Sequence, residues 1–395
     1  MKNNRRKRKY AAAVRSAAAL AAALLGCASP VEETAEKTAA SAAAEAAADA
    51  VDSESNAEAE AAAEARSKAQ VGAGAETEKK EAAGELEVHF LDVGQGDATL
   101  IACDGHYMLI DAGNNDKGTL VQSYLEQQGV ETLDYVIGTH PDADHIGGLD
   151  VILYKFDCGT VILPEVENDT RTYEDVIRVL EEKDYPVTAP VVGDTYTLGG
   201  ASFTIIAPNG DYGDDLNDWS VGILLQNGEN RFLFTGDAGE QAEQDILANG
   251  IDISADVYKA SHHGSDTASL EAFIQAVSPE YAVISVGEGN QYGHPHAEVL
   301  NRFREAGIEV FRTDEQGTIV AVSDGTDITW NTASSESWQA GEAQGGGEVT
   351  VHITKTGETY HNAGCSYLSR SDIEITLSEA KERGLTPCSR CNPPQ

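Results

Sequence analysis

Apolar residues in the middle of the chain come in short runs divided by Gly, Pro, Asn and Asp. Runs of four to eight residues rich in β-branched and aromatic side chains predict strands, and longer runs with apolar positions three to four apart predict helices. On this pattern Glu87–Val93, Ala98–Cys103 and Tyr107–Ala112 are strands joined by Gly-containing turns. Leu120–Gln128 is a helix stopped by Gly129. Leu133–Gly138 is a buried strand, and further strands follow at Thr160–Leu163, Ser202–Ala207, Ser220–Gln226, Arg231–Thr235, Asp256–Ala260, Ala282–Val286 and Thr318–Val322. Helices fall at Thr172–Lys183, Glu240–Ala248, Ser269–Val277 and Ala297–Ala306. Strands mixed with helices predict a layered α/β domain over residues 85–332. The pattern alone leaves its topology open.

Both ends break the pattern. Residues 1–27 open with Lys2, Arg5, Arg6, Lys7, Arg8 and Lys9, then run apolar from Ala11 to Leu25, too short to span a bilayer comfortably. This is an export signal. Residues 28–84 are nearly all Ala, Glu, Ser and Thr with no apolar stripe to bury, which predicts a solvated tether. Residues 333–347 read as a Gly-rich linker, and 348–395 as a separate small module.

Candidate chemistry is densest in Thr139-His140-Pro141-Asp142-Ala143-Asp144-His145-Ile146-Gly147-Gly148. Two imidazoles and two carboxylates sit on a loop at a strand's end. That donor set suits Zn²⁺ or Mn²⁺. The spacing His-x-Asp-x-Asp-His resembles the first metal motif of the metallo-β-lactamase superfamily. Asp142 at its third position is similar to the variant in the hydrolase domain of ComEC-type DNA-uptake proteins. Further segments resemble that branch in its order: Phe90–Ala98, Leu109–Gly113, Leu233–Asp237, Ser261–Ser265, and Ser285–Gly287 followed by Asn290–Pro295.

The resemblance implies an αββα sandwich, two mixed sheets face to face with helices outside and two metals at one edge. His140 and Asp142 would hold one metal, Asp144 and His145 the other, and Asp237 would bridge them. Of the pair His262-His263, His263 is the expected ligand. Asp144 and His262 are the expected catalytic residues, His262 facing substrate as donor or proton shuttle. His294 is expected to contact substrate. Asp97 and Asp111 resemble the family's supporting carboxylates. The superfamily's further His is missing, since no His lies between Ile146 and Gly236. Asn217-Asp218-Trp219-Ser220 stands at that place, so the first metal would take Asp218 or water, which favours Mn²⁺ as a rival to Zn²⁺.

In the tail, His361-x3-Cys365 and Cys388-x2-Cys391 have the spacing of a closed four-ligand Zn²⁺ site. The module resembles the zinc-binding module of Ada-type DNA-repair proteins, with His361 in place of one Cys. A disulfide with one thiol left over is the alternative. Cys103 and Cys158 are either a core disulfide or two buried thiols.

Charge narrows the function. The chain carries a formal −39. Residues 85–332 hold 45 Asp and Glu against 10 Lys and Arg, with no basic stripe of the kind that binds nucleic acid. The expectation is a metal-dependent hydrolase of a phosphodiester, with DNA as one substrate the resemblance suggests. The alternatives are a phosphorylcholine-esterase-like enzyme on small phosphodiesters, and a metal-dependent lipoprotein that only binds. Leu24-Leu25-Gly26-Cys27 resembles the bacterial lipobox, which implies a lipid on Cys27 and a place on the outer face of the cytoplasmic membrane. An ordinary secretory signal, and a secreted protein, is the alternative. Replacing Cys27 by Ala is expected to move the protein from the membrane fraction into the medium. Unchanged fractionation would reject the anchor.

Overall fold

The computed structural model describes residues 84–341, 350–362, 365–391 and 393. The expected signal, Cys27, and all of the tether but Gly84 lie outside the described residues, as do 342–349 of the linker and the start of the tail. Fifteen strands lie between Leu86 and Trp330. They are β1 (Leu86–Phe90), β2 (Thr99–Cys103), β3 (His106–Ile110), β4 (Thr132–Ile137), β5 (Asp157–Ile162), β6 (Val187–Thr188), β7 (Thr195–Leu198), β8 (Ala201–Ala207), β9 (Gly222–Asn227), β10 (Asn230–Phe234), β11 (Val257–Lys259), β12 (Tyr281–Ile284), β13 (Glu309–Arg312), β14 (Ile319–Ser323) and β15 (Ile328–Trp330). One sheet has eight strands in the order β15-β14-β1-β2-β3-β4-β5-β6, the other seven in the order β13-β12-β11-β10-β9-β8-β7.

The helices among them are α1 (Gly118–Gln127), α2 (Ala143–Ile146), α3 (Leu149–Lys155), α4 (Arg171–Lys183), α5 (Glu240–Asn249), α6 (Glu271–Val277), α7 (Ala297–Ala306) and α8 (Thr313–Gln316). Alternation along each strand sends one set of side chains inward and the other outward. Leu86, Val88, Phe90, Ile101 and Met108 of the first sheet meet Phe203, Ile205, Ile223, Leu225 and Phe232 of the second in one buried layer. The outward residues Leu100, Leu109, Leu133 and Val161 pack under α1, α3 and α4 through Val121, Leu125, Ile152, Val176 and Leu180. Leu233, Tyr258 and Ala282 pack under α5, α6 and α7 through Ile246, Phe273 and Phe303. The result is the expected αββα sandwich.

Parallel pairing decides where the loops go. β3 and β4 run parallel in one sheet, and β10, β11 and β12 in the other. The loops after β3, β4, β10, β11 and β12 therefore leave from strand C-terminal ends, the edge at which open α/β sheets gather ligands.

Several elements escape the hydrophobic pattern. Helix α3 is only seven residues long, too short to declare a period. Strand β13 ends in Arg312, whose guanidinium is buried against Asp314 and Glu315 and so imitates a surface residue in the sequence. Residues 333–341, expected in the linker, are held on the core: Ser335 N–H donates to Val310 O at 2.7 Å and Gly341 N–H to Pro295 O at 2.8 Å. Trp338 packs on the outer layer of the second sheet, with the Arg304 guanidinium 5.9 Å from its ring. Cys103 and Cys158 are free thiols. They cannot pair, because Cys103 faces the layer between the sheets and Cys158 the layer under the helices.

The tail forms a separate four-stranded sheet, β16 (Thr350–Ile353), β17 (Thr359–His361), β18 (Ile373–Thr376) and β19 (Thr386–Pro387), in the order β18-β16-β17-β19. With α9 (Leu377–Glu382) it buries, among the described residues, a core of Val351, Ile353, Tyr360, Ile375 and Ala380. So small a core needs a staple.

Asn227, at the end of β9, is a polar tie between the two large sheets. Its amide donates to Gly84 O at 2.9 Å, to Ser323 O at 3.2 Å and to Ser323 Oγ at 3.1 Å. Asn227→Ala removes these bonds between the sheets. It is expected to lower the unfolding free energy by about 1–3 kcal/mol, measured by urea denaturation.

Candidate metal centre

The first half of the site hangs on Asp111, which follows β3 in the left-handed region at φ 57°. Its Oδ1 accepts from Thr139 N–H at 2.8 Å and its Oδ2 from Thr139 Oγ1 at 2.7 Å and from His145 Nδ1 at 2.8 Å. These bonds fix the loop after β4 and turn the His145 ring so that Nε2 faces inward. Asp142 opens the single turn α2, which sets Asp144 and His145 side by side. Gly147 and Gly148 let this loop lie on its neighbours. A Cβ on Gly147 would come within 2.3 Å of Asn115 N, and one on Gly148 within 2.4 Å of Ala112 O.

The second half comes from the other sheet. After β10 the chain turns at Gly236, where φ is 55° and a Cβ would meet Ser220 Oγ at 2.8 Å. Asp237 follows, its N–H donating to Ser220 Oγ at 3.0 Å. Asp237 Oδ1 lies 3.2 Å from His145 Nε2, and Oδ2 lies 3.4 Å from His263 Nε2 and 3.8 Å from His262 Nε2. His262 and His263 are both left-handed, at φ 51° and 55°. Such backbone costs about 1–3 kcal/mol per residue and persists only where its surroundings enforce it. Here Ser261 Oγ contacts Gly236 O at 3.1 Å and Ala238 O at 2.7 Å, and His262 N–H donates to Gly236 O at 3.1 Å.

That backbone splits the pair by environment. His263 is buried, its Nδ1 donates to Ser285 O at 2.9 Å, and its Nε2 lies 3.5 Å from Asp144 Oδ2. His262 is partly exposed, with Nδ1 3.2 Å from Thr267 Oγ1 and Nε2 3.4 Å from Asn217 Nδ2.

The donor set fits a cation. Ligand atoms of Asp144, His145, Asp237 and His263 all lie within 4.8 Å of one another. His140 Nε2, His145 Nε2, His263 Nε2 and Asp237 Oδ1 are buried and have no hydrogen-bond partner. One unmet buried polar atom costs about 1–3 kcal/mol, so the three in that cluster, on His145, His263 and Asp237, mark a site for a ligand. His140 turns its Nδ1 to Ser220 Oγ at 3.3 Å and Thr139 Oγ1 at 3.2 Å, leaving Nε2 free, 3.8 Å from the half-buried Asp142 carboxylate. Burial, helped by the neighbouring His145, pushes His140 down to about 3, which keeps it in the neutral form a metal needs. Burial alone would push His145 and His263 down as well, but Asp237, with Asp111 and Asp97, outweighs it and raises both. Burial would raise Asp237, and the same two imidazoles hold it well below the usual carboxylate range. The carboxylates thus draw positive charge to this point.

His294 completes one wall. Its ring centroid lies 5.6 Å from that of His262 and 6.3 Å from that of His263, with Tyr292 stacked on it at 5.5 Å. Its Nδ1 is buried without a partner, and burial followed by His263 and His262 pushes it down to about 2. Asp218 does not do what its position suggested. Its Oδ1 accepts from Gly239 N–H at 2.7 Å at the start of α5, so it caps a helix, and Asn217 is the member of that turn that meets His262. Two site residues were not singled out in the sequence, Tyr292 and Lys259. A lysine closing an otherwise apolar strand, Val257-Tyr258-Lys259, was the available signal.

In the tail, single ligand atoms of His361, Cys365, Cys388 and Cys391 lie within 4.8 Å of one another. All three thiols are free. His361 Nε2 lies 3.1 Å from Thr359 Oγ1, and Nδ1 lies 3.9 Å from Cys391 Sγ.

A two-sheet αββα core carrying His, Asp and His-His loops at one edge defines the metallo-β-lactamase fold. The sequence profile of the metallo-β-lactamase superfamily matches residues 91–288, and the chain belongs to that superfamily. It is 30% identical over 257 residues to ComE operon protein 3 of Bacillus subtilis, covering 60% of this chain and 33% of that protein. It is 32% identical over 238 residues to Recombination protein 2 of Haemophilus influenzae, with 59% and 28% covered, and 31% identical over 251 residues to competence protein ComA of Neisseria gonorrhoeae, with 62% and 34% covered. The chain spans about a third of the length of these relatives. Among solved structures, the metallo-β-lactamase fold protein YhfI of Bacillus subtilis is 12% identical with a TM-score of 0.42, covering 62% of this chain and all of that one.

Metal analysis checks the tail cluster. Cys388→Ser in the full chain is expected to remove one equivalent of zinc and to leave the metal content of the core unchanged. An unchanged zinc content would reject the site.

Proposed function

We propose that the chain is a metal-dependent hydrolase that cleaves a phosphodiester. One observation carries this reading: the unpartnered Nε2 atoms of His145 and His263 converge with the carboxylates of Asp144 and Asp237 at a buried sheet edge, with the unpartnered His140 Nε2 beside Asp142. His140 and Asp142 would hold one divalent ion, and Asp144, His145 and His263 the other, with Asp237 between them. When bound, such a pair supplies the Lewis acidity that makes water a nucleophile at neutral pH. Asp111 and Ser285 orient the rings of His145 and His263. His262, partly exposed and pushed down mainly by burial, is a neutral imidazole able to take a proton on one nitrogen and release one from the other toward a leaving oxygen. Asp144, 3.5 Å from His263 Nε2, is the second catalytic group of this reading. His294 faces the same space as a neutral donor for a phosphoryl oxygen.

The arrangement of charge supports a small phosphodiester over duplex or single-stranded DNA. Arg171 and Arg178 pair with Asp175, Arg231 with Asp252, Arg312 with Asp314, and Lys259 with Asp97. Few basic side chains of the core remain to neutralise a chain of phosphates. The relatives named for competence and recombination keep DNA as the competing substrate. Location forms part of the proposal: export, and a lipid on Cys27 holding the domain at the outer face of the cytoplasmic membrane.

The test is Asp237→Ala assayed on bis(p-nitrophenyl) phosphate with Mn²⁺ or Zn²⁺. Supporting groups around metal ligands are worth about 10–100-fold, so loss of the bridging carboxylate is expected to lower kcat/KM by at least about 100-fold and to reduce bound metal below two equivalents. Full turnover with two metals would overturn the binuclear reading. Wild-type protein that binds two metals and cleaves neither this ester, choline-phosphate esters nor DNA would turn the reading to a binding role.

A further inference from the structure

Among the described residues two basic side chains are buried, Lys259 and Arg312. Arg312 is explained by Asp314, Glu315 and the strap carbonyl of Gln339. Lys259 lies at the metal edge, the last residue of β11 and three positions before His262. Its Nζ donates to Asp97 Oδ2 at 2.9 Å and to Ala260 O at 3.1 Å. The other oxygen of Asp97, Oδ1, is buried without a hydrogen-bond partner, 3.3 Å from the His263 Nδ1 that donates to Ser285 O. The backbone of Asp97 binds the other loops of the site: its N–H donates to Asp144 O at 3.1 Å, and its carbonyl accepts from Gly113 N–H at 2.8 Å. Asp97 thus stands where three loops meet, and one of its oxygens lies within 4.8 Å of ligand atoms of Asp111 and His145. A buried carboxylate so close to a cation site would be drawn in as a ligand unless something else claimed it.

We propose that Lys259 is a positioning residue of the metal centre: its ammonium holds Asp97 off the metals and beside the His263 ring, which Ser285 O turns with Nε2 toward Asp144 and Asp237. Charge supports this. Asp97, Asp111, Asp142, Asp144 and Asp237 bring five negative charges to the edge, and two divalent ions plus one ammonium balance them. A buried ammonium is tolerated only when paired, and removing one partner of a buried pair leaves the other uncompensated. Lys259 is therefore a fixed charge of the site that no exchange of metal removes.

The inference rests on the metal-centre reading, and the test separates the two. Full-length protein, wild type and Lys259→Met, is titrated with Zn²⁺ against a chromophoric chelator, and the Co²⁺-loaded forms are compared by visible absorption. Methionine keeps the apolar stem and drops the charge. The expected result is a 10- to 100-fold weaker Zn²⁺ affinity, the range for groups that orient ligands, with shifted Co²⁺ bands. Asp97→Asn is expected to lose a similar factor, and the double variant no more than either single one, because the pair acts as a unit. Wild-type affinity and an unchanged Co²⁺ spectrum in Lys259→Met would overturn the inference, even with a lowered melting temperature, and would leave the metal reading intact. If Lys259→Met does not fold, Lys259→Met/Asp97→Asn leaves no unpaired charge and decides the same way: weakened binding supports the inference, wild-type binding overturns it. Wild-type protein that binds no divalent metal would overturn both.

Discussion

The constraint on which the site depends is the crowding of carboxylates at a buried sheet edge. Asp97, Asp111 and Asp237 are almost fully buried, and Asp144 stands beside them. Carboxylates this close repel one another and lose their hydration, so each needs a fixed donor or a cation. Asp111 spends its oxygens on Thr139 and His145, and Asp97 spends one on Lys259, while Asp97 Oδ1 and Asp237 Oδ1 face His263 and His145 without a hydrogen bond. The strained backbone of the His pair and the close approach of Gly147, Gly148 and Gly236 follow from this. They are the local distortions needed to bring donors from two sheets to one cluster of negative charge.

The core strands and longer helices were legible because burial imposes a period on the sequence, and that period survives even where boundaries shift by a residue or two. β4, β8, β10 and α7 are examples, each bounded by Gly, Pro or Asn. What the pattern hid was set by tertiary partners. β13 was concealed by Arg312, which is charged yet buried, and α3 by its brevity. Residues 333–341 look like linker because their attachment runs through backbone bonds, which leave no trace in side-chain type.

In the site, the motif residues were legible as types and spacings, and their division of labour was not. The two imidazoles of His262-His263 look alike in sequence; only the left-handed backbone turns one inward and leaves the other partly in solvent. Asp218 looked like a replacement ligand because it is a carboxylate in the right interval, but the free N–H groups at the start of α5 compete for it. Lys259 was read as part of a strand because a lone lysine in an apolar run carries no pattern of its own. Its meaning lies in Asp97, 162 positions earlier.

The strap that ends at Gly341 has a geometric consequence. Gly341 N–H bonds Pro295 O, and a Cβ at Gly341 would collide with the carbonyl of His294. The chain thus departs for the tail from beside the His294 loop. Nine steps of backbone separate Gly341 from Thr350, a reach of about 30 Å at full extension. The first strand of the tail is leashed within that radius of Gly341. Anything the tail holds is kept at an effective concentration in the roughly millimolar range that short tethers give, whatever its concentration in free solution.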